Sequence, residues 1–474
     1  MRGLTRARAR GLTRARARGL TGARARGVTR AWARARTRAP GLAKAPARGP
    51  AGTAAAALLL LLATACGSRL PESDFTHRAT APGPSTSSAA AGPIRIGILT
   101  SATSPVGGAA FTGPRDGAQA YFAALNARGG IDGRKVEVRT CDDGGSGVGD
   151  NTCVHKLVDE DKVVALVATS VLDYAGASRV SHARVPDIGG QPVGAAYDTY
   201  PHLYGIYGSL APRDGTPGWG GQLYGGTEVY RYFKREQGAR TAAVVSYNQS
   251  ASAAYARLVS RGLKAEGYRV VDEQVDFALP NFRAAAADLK QQGADLVFDA
   301  LDTHGNAQLC RAMDQVGARV VAKVTNVQNW TSTVPEDYKD APDCRNALWA
   351  TGSSRDFDDT SDPAVRAFRN ATKGLKTHSQ WQLEGWAAAM WFTDAARSCA
   401  ADVTRACVDR FMSRGTPYTA DGLLLPVEFR PRAKPPKTRR TCLSVARWRD
   451  GQGWVSQGDM NRTCFTVPQL PYTP

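Results

Sequence analysis

The chain has 474 residues and a formal net charge of +19, a balance that taken alone would point to nucleic acid or an anionic membrane. Its distribution excludes that for the bulk of the chain: fifteen of the 61 Lys and Arg and none of the 42 Asp and Glu fall in residues 1–65, which leaves 46 basic against 42 acidic side chains in the rest. With 43% hydrophobic residues, a chain of this length buries more than one core.

Residues 1–65 read as a basic leader followed by a signal peptide. Arg2-Gly3-Leu4-Thr5-Arg6-Ala7-Arg8-Ala9 recurs from Arg10, degenerates from Arg18 and fades from Arg26. Such a tract has no periodic apolar face and repels itself, so it is not expected to fold. Two readings stay open: a basic arm for nucleic acid, and a repeat translated from an upstream start, with the working start nearer Val28 or beyond. Residues 54–65 are an apolar run broken only by Thr64, too short for a membrane span but suited to a signal-peptide core. The run ends in Leu62-Ala63-Thr64-Ala65-Cys66, which resembles a bacterial lipobox. The resemblance implies that Cys66 is acylated and becomes the mature N-terminus. Ala63 departs from that motif, and Ala63-Thr64-Ala65 equally serves an ordinary secretory peptidase; both cut before Cys66. Residues 66–93, rich in Ser, Thr, Ala and Pro, read as a disordered tether.

Nine cysteines in an exported chain leave one over, and setting Cys66 aside leaves eight to pair in an oxidising compartment. Proximity favours Cys141 with Cys153, Cys310 with Cys344, Cys399 with Cys407 and Cys442 with Cys464, among about a hundred connectivities that sequence permits. No Cys-x-x-Cys pair or histidine cluster supports a metal site.

The first folded unit starts with the apolar run 94–99, which opens into the small and hydroxyl residues 100–108. A helix follows, since Ala118, Tyr121, Phe122 and Leu125 fall at i, i+3, i+4 and i+7, and Gly129-Gly130 can supply the left-handed turn that ends it. Residues 135–140 alternate as a second strand. This stretch resembles the start of the type I periplasmic binding proteins, the branched-chain amino acid and amide binding subunits of ABC importers. The resemblance rests on the strand with its small-residue loop, on Leu125-Asn126-Ala127-Arg128-Gly129-Gly130-Ile131-Asp132-Gly133-Arg134, and on the pair Asp142-Asp143. It implies an α/β fold of two Rossmann-like lobes joined by three crossings.

Further along, Val154, Leu157 and Val158 mark a helix, and residues 163–167 and 185–189 are strands. Apolar runs without alternation between amphipathic helices mean a parallel sheet covered on both faces. Residues 204–212, with Gly205, Gly208 and Pro212, break the pattern and read as the first crossing. A helix is expected over about residues 219–237, then strands over 241–246, 268–275, 295–299 and 319–324, separated by helices. The return to the first lobe is expected near residues 350–354. Residues 381–399 read as a long helix with Ala388, Trp391, Phe392 and Ala395 as its core stripe, residues 423–429 resemble the third crossing, and 448–454 read as a hairpin around Asp450-Gly451. Lobe one thus takes residues 94–208 and 354–420, and lobe two 209–353 and 421–474.

An enzyme is not expected. The chain lacks His-Glu-x-x-His, a Gly-x-x-x-x-Gly-Lys-Ser/Thr loop and a Gly-x-Gly-x-x-Gly after the first strand; no cofactor is called for. Asp142-Asp143 reads as a solvated turn rather than a pair of metal ligands. In an open parallel sheet, ligands sit at the C-terminal strand ends. That selects Ser104, Ser170 and Gln191 from lobe one, and Tyr247, Asn248 and Asp302 from lobe two, with Tyr207 at the crossing. Each competes with a plain role as a cap or turn residue. The resemblance implies that hydroxyl residues hold a ligand carboxylate and an acid holds its ammonium; Ser170 fits the first role and Asp302 the second. Gln191-Pro192 stands where a hydroxyl residue is common, and Tyr247-Asn248-Gln249-Ser250-Ala251 replaces the usual Asp-x-x-Tyr-Gly, which favours a small polar metabolite over a plain amino acid. The expected function is an exported, lipid-anchored solute-binding protein that delivers an amino acid, amide or similar solute to an ABC permease, with no nucleic-acid partner. The alternative is a ligand sensor for a signalling partner.

Overall fold

The computed structural model describes residues 92 to 473; the leader, the signal-peptide run, Cys66 and nearly all of the tether lie outside the described residues. Strands β1 (Ile94–Thr100), β2 (Val136–Asp142), β3 (Ala165–Val167), β4 (Asp187–Gly190) and β5 (Leu203–Gly205) form a wholly parallel sheet in the order β2-β1-β3-β4-β5. β1 is buried at every position but Arg95, as a strand covered on both faces must be.

After the short strand β6 (Leu223–Gly225), a second sheet is built from β7 (Thr241–Tyr247), β8 (Arg269–Val275), β9 (Leu296–Ala300), β10 (Ala322–Thr325) and β11 (Leu348–Gly352), all parallel. Then β12 (Thr438–Cys442) leads into the antiparallel hairpin of β13 (Ser444–Arg449) and β14 (Gly453–Ser456), in which Trp448 faces Trp454. The hairpin extends the second sheet to the order β14-β13-β11-β10-β9-β7-β8. The last strands, β15 (Cys464–Pro468) and β16 (Leu470–Tyr472), pair with β12 and β6.

One expectation is corrected here. Only Glu228–Glu236 of the segment 219–237 is helical: Gly220, Gly221, Gly225 and Gly226 precede it, each worth about 1 kcal/mol against a helix relative to Ala, and residues 223–225 pair with the chain's end instead. The return from the second sheet follows Leu348–Gly352, the last parallel strand of that sheet. The connecting segments pair with one another: Ser209 with Phe429 and Ser354 with Leu424. The Leu425 N–H donates to the Ser353 carbonyl at 2.9 Å and the Arg355 N–H to that of Leu423 at 2.7 Å. The third segment therefore laces the other two together beside the C-terminal ends of both sheets.

The helix Gln380–Arg397 lies against the first sheet and starts with a capping box of Ser379 and Gln382. Its stripe Ala388, Trp391, Phe392 and Ala395 is buried, and burial of Trp391 or Phe392 stabilises by roughly 1.5–3 kcal/mol each relative to exposure. Two glycines set its seat. A Cβ on Gly385 would lie 2.0 Å from the Pro114 carbonyl oxygen of the helix Gly108–Ala127, and one on Gly189 would lie 2.2 Å from the Ala388 Cβ. The close approach of β4 to this helix is thus written in Gly189. The four disulfides join Cys141 to Cys153, Cys310 to Cys344, Cys399 to Cys407 and Cys442 to Cys464, as proximity favoured.

Candidate functional site

At the C-terminal ends of the first sheet, the Ser101 N–H donates to the Ser170 carbonyl and the Ser170 N–H to that of Leu99, both at 2.9 Å. This places Ser170 at the junction of β1 and β3. Its side chain is fully buried and its Oγ has no hydrogen-bond partner. Gln191 follows β4 directly; its N–H donates to the Thr169 carbonyl at 2.8 Å, so Ser170 and Gln191 occupy neighbouring strand ends. Gln191 Nε2 donates to Glu384 at 2.8 Å, while its Oε1 is buried without a partner. Such orphaned groups are rare in folded proteins, because leaving one dry costs about 1–3 kcal/mol.

Gln191 lines a recess of about 140 Å³ together with Leu172, Tyr174 and Tyr197. Asp187, buried on β4, accepts the hydroxyls of Thr169, Tyr174 and Tyr197 at 2.9, 2.8 and 2.9 Å. It thereby fixes two of the recess walls. Burial pushes its carboxyl up to about 6 against the pull of those three donors. Asp150 is buried beside it, accepts the Gly176 N–H at 2.6 Å, and is pushed up to about 7 by burial.

Glu384, which the sequence reading passed over as part of a core helix, is the centre of this side. It is fully buried and accepts from Ser354 at 2.6 Å, Gln191 at 2.8 Å and Tyr207 at 3.1 Å. Tyr207 lies on the first connecting segment, after β5, and Ser354 on the second. The carboxyl therefore ties the recess to two of the three links between the sheets. Burial raises it to about 7, opposed by its three donors. Ser104 plays a local part: its Oγ donates to the Val106 carbonyl at 3.0 Å and accepts the Val106 N–H at 3.2 Å, which is a turn ahead of the helix Gly108–Ala127. Asp142 also shapes a turn, but Asp143 is buried rather than solvated, with Oδ1 accepting the Gly145 N–H at 2.7 Å.

On the second sheet, the Tyr247 hydroxyl at the end of β7 donates to Asp302 Oδ1 at 2.9 Å. Asp302 is the N-cap of the helix Thr303–Val316, the same Oδ1 accepting the Gly305 N–H at 2.9 Å. Asn248 braces a neighbouring loop: its Nδ2 donates to Asp276 and its Oδ1 accepts the Phe277 N–H, both at 2.9 Å. The strand-end rule also reaches three residues after or ending β10 that the sequence reading did not pick. Thr325 Oγ1, Asn326 Oδ1 and Asn329 Nδ2 are buried without partners, and Asn329 Oδ1 accepts the Thr303 hydroxyl at 2.6 Å. Beneath them, Lys323 is fully buried in a closed cluster with Asp299 and Asn306.

The structure therefore brings Gln191 and Tyr207 together on Glu384, with Ser170 at the neighbouring strand end, and Tyr247 and Asp302 together on the other sheet, while Ser104 and Asn248 serve their own loops. Among the described residues, no group of three or more His, Cys, Asp or Glu side chains is placed to hold a metal ion, and no helix is long and apolar enough to cross a membrane.

A periplasmic binding protein family model matches residues 93–452. Among solved structures, the extracellular ligand-binding receptor of Verminephrobacter eiseniae is 16% identical, with a TM-score of 0.60 over 77% of this chain and 99% of that one. The solute-binding protein of an R. palustris ABC transporter, solved with benzoate, is 14% identical, with a TM-score of 0.58 over 80% and 98% of the two chains. The branched-chain amino acid binding protein LivJ of Streptococcus pneumoniae, solved with isoleucine, is 18% identical, with a TM-score of 0.57 over 77% and 100%. No curated protein matches the sequence.

Proposed function

The chain belongs to the periplasmic binding protein family, and from that footing we propose that it captures a small polar solute between two lobes and hands it to an ABC importer. Family membership places it outside the cytoplasm. In this reading lobe one comprises residues 94–208 and 354–420, lobe two comprises residues 209–353 and 421–474, and Cys66 carries a lipid that holds the protein at the outer face of the membrane.

One observation carries the reading. Among the buried polar groups without partners, Ser170 Oγ and Gln191 Oε1 lie at C-terminal strand ends of one sheet and Thr325 Oγ1 and Asn329 Nδ2 at those of the other, beside the segments that connect them. A solute that satisfied both sets would bring the lobes together, since only a ligand with differential contacts shifts a hinge. Ser170 and Gln191 then hold the polar end of the solute, Tyr207 closes the crossing side, and Tyr247 forms the opposite wall, oriented by Asp302. Ser104 and Asn248 shape the rims. The neighbours solved with isoleucine and benzoate are consistent with a solute of amino-acid, amide or small-acid size.

The test is calorimetric titration with a panel of amino acids, their amides, and aromatic acids and amides. Saturable binding of one class, weakened by Ser170→Ala, supports the proposal. No binding across the panel, or binding indifferent to Ser170, contradicts it.

A further inference from the structure

Every hydrogen in the chain of contacts that ends at Gln191 has a defined direction. The Phe357 N–H donates to Gln380 Oε1 at 3.2 Å, which turns the Gln380 amide so that its Nε2 donates to Ser354 Oγ and to the Arg355 carbonyl, each at 2.7 Å. With its oxygen already accepting from Gln380, the Ser354 hydroxyl has one remaining use for its proton, and it gives it to Glu384 at 2.6 Å. Ser354, Gln380 and Glu384 are fully buried, so water does not substitute for any of these partners. Above about pH 7 the Glu384 carboxyl is ionised, and an ionised carboxylate accepts and does not donate. Gln191 therefore has to offer its NH2 to Glu384, which it does at 2.8 Å, and its Oε1 is left buried and unpartnered on the residue that lines the recess.

We propose that Glu384 is a positioning residue that locks the Gln191 amide with its carbonyl oxygen toward the solute, so that the site selects solutes bearing an N–H or O–H donor at that point over isosteric acceptors. The inference rests on the solute-binding reading above and deepens it: the preferred class is amide, amine or alcohol rather than bare carboxylate. Glu384 does so without touching the solute. The same donors fix what a neutral isostere does. In Glu384→Gln, the end facing Ser354 stays an oxygen, because Ser354 donates there; the NH2 then faces Gln191 and Tyr207, whose hydroxyl turns from donor to acceptor. Gln191 has to flip to accept it and now presents its own NH2 to the recess.

The experiment measures, at a pH well above the raised Glu384 value of about 7, the affinity of the wild-type protein and Glu384→Gln for two matched pairs, benzamide with benzoate and isoleucinamide with isoleucine. Wild type is expected to favour the amide of the pair it binds by roughly tenfold, the scale of one buried hydrogen bond made or left unmade. Glu384→Gln is expected to abolish or reverse that ratio. A fall of both affinities by one common factor, with the ratio unchanged, overturns the positioning role and leaves the solute-binding reading standing. Failure of wild type to bind any of the four overturns both. Should Glu384→Gln not fold, the Gln191 side-chain NH2 resonances of the wild type, identified by their loss in Gln191→Met, decide the matter. Slow exchange and little movement on adding the bound amide place the NH2 against Glu384; fast exchange and a large shift place it in the recess and overturn the proposal.

Discussion

Tyr247 and Asp302 are joined by a 2.9 Å hydrogen bond from the tyrosine hydroxyl to the carboxylate, and the same oxygen caps the helix Thr303–Val316 through the Gly305 N–H at 2.9 Å. The acid read from the sequence as a counter-charge for a ligand ammonium is thus engaged by the fold. Asp302→Ala is expected to lower stability by about 1 kcal/mol, within the 0.5–2 kcal/mol range for a lost N-cap, and Asp302→Asn, which keeps a capping oxygen, by less. Urea denaturation of the two variants checks this. Equal losses of solute affinity in both variants, with stability untouched, would restore the counter-charge role.

Several buried carboxyls sit well above their ordinary range, and their effect on stability has one sign. Burial raises Glu384 and Asp150 to about 7, Asp356 to about 8 and Asp187 to about 6. The folded protein keeps these protons in a pH window where the unfolded chain has released them. Stability is therefore full below the unfolded carboxyl range near pH 4 and falls as pH rises through the folded values. The thermal midpoint at pH 6 should exceed that at pH 8. The pH 5 to pH 8 loss should be smaller in Glu384→Gln by on the order of 3 kcal/mol, since a proton held across each further pH unit is worth about 1.4 kcal/mol. A midpoint that climbs from pH 6 to pH 8 would contradict it.

The disulfide Cys310–Cys344 spans 34 residues and fastens the helix Thr303–Val316 to the segment ahead of β11. In the chain-entropy model a crosslink of this span is worth about 3–4 kcal/mol. The double variant Cys310→Ala, Cys344→Ala should lose an amount of that order in denaturant midpoints, with the fold kept by circular dichroism. Non-reducing peptide maps should recover all four pairs; a different partner for Cys310 would refute the expectation.

How much of this was legible follows from what each feature depends on. The inner parallel strands showed because burial on both faces makes them continuous apolar runs, the edge strand β2 because it alternates, and the disulfides because each partner lies close by in the chain. The Thr438–Cys442 strand, three of whose five residues are exposed, carries no apolar alternation to betray it. Glu384 was hidden for a different reason: its partner Gln191 lies 193 residues away and Tyr207 177, and no local pattern reports a contact of that range. A signal was nonetheless present. Glu384 is the one charged residue between Gln380 and Thr393, and a lone carboxylate in an otherwise buried helix needs partners. Asn326 and Asn329 needed only the strand-end rule carried one strand further, to β10.

Cys66→Ala tests the proposed anchor. The variant should leave the membrane fraction while its solute affinity stays as in wild type, because residues 66–93 separate the anchor from the lobes. Wild-type protein whose N-terminal peptide lacks a lipid-sized mass increment would rule the anchor out.

The central claim is capture by closure of two lobes, and small-angle scattering with and without the saturating solute found by calorimetry tests it most directly. The radius of gyration should fall on binding in wild type and stay unchanged in the double variant Ser170→Ala, Gln191→Ala at the same solute concentration. Saturated wild type with unaltered scattering, or a double variant that still contracts, would contradict the account.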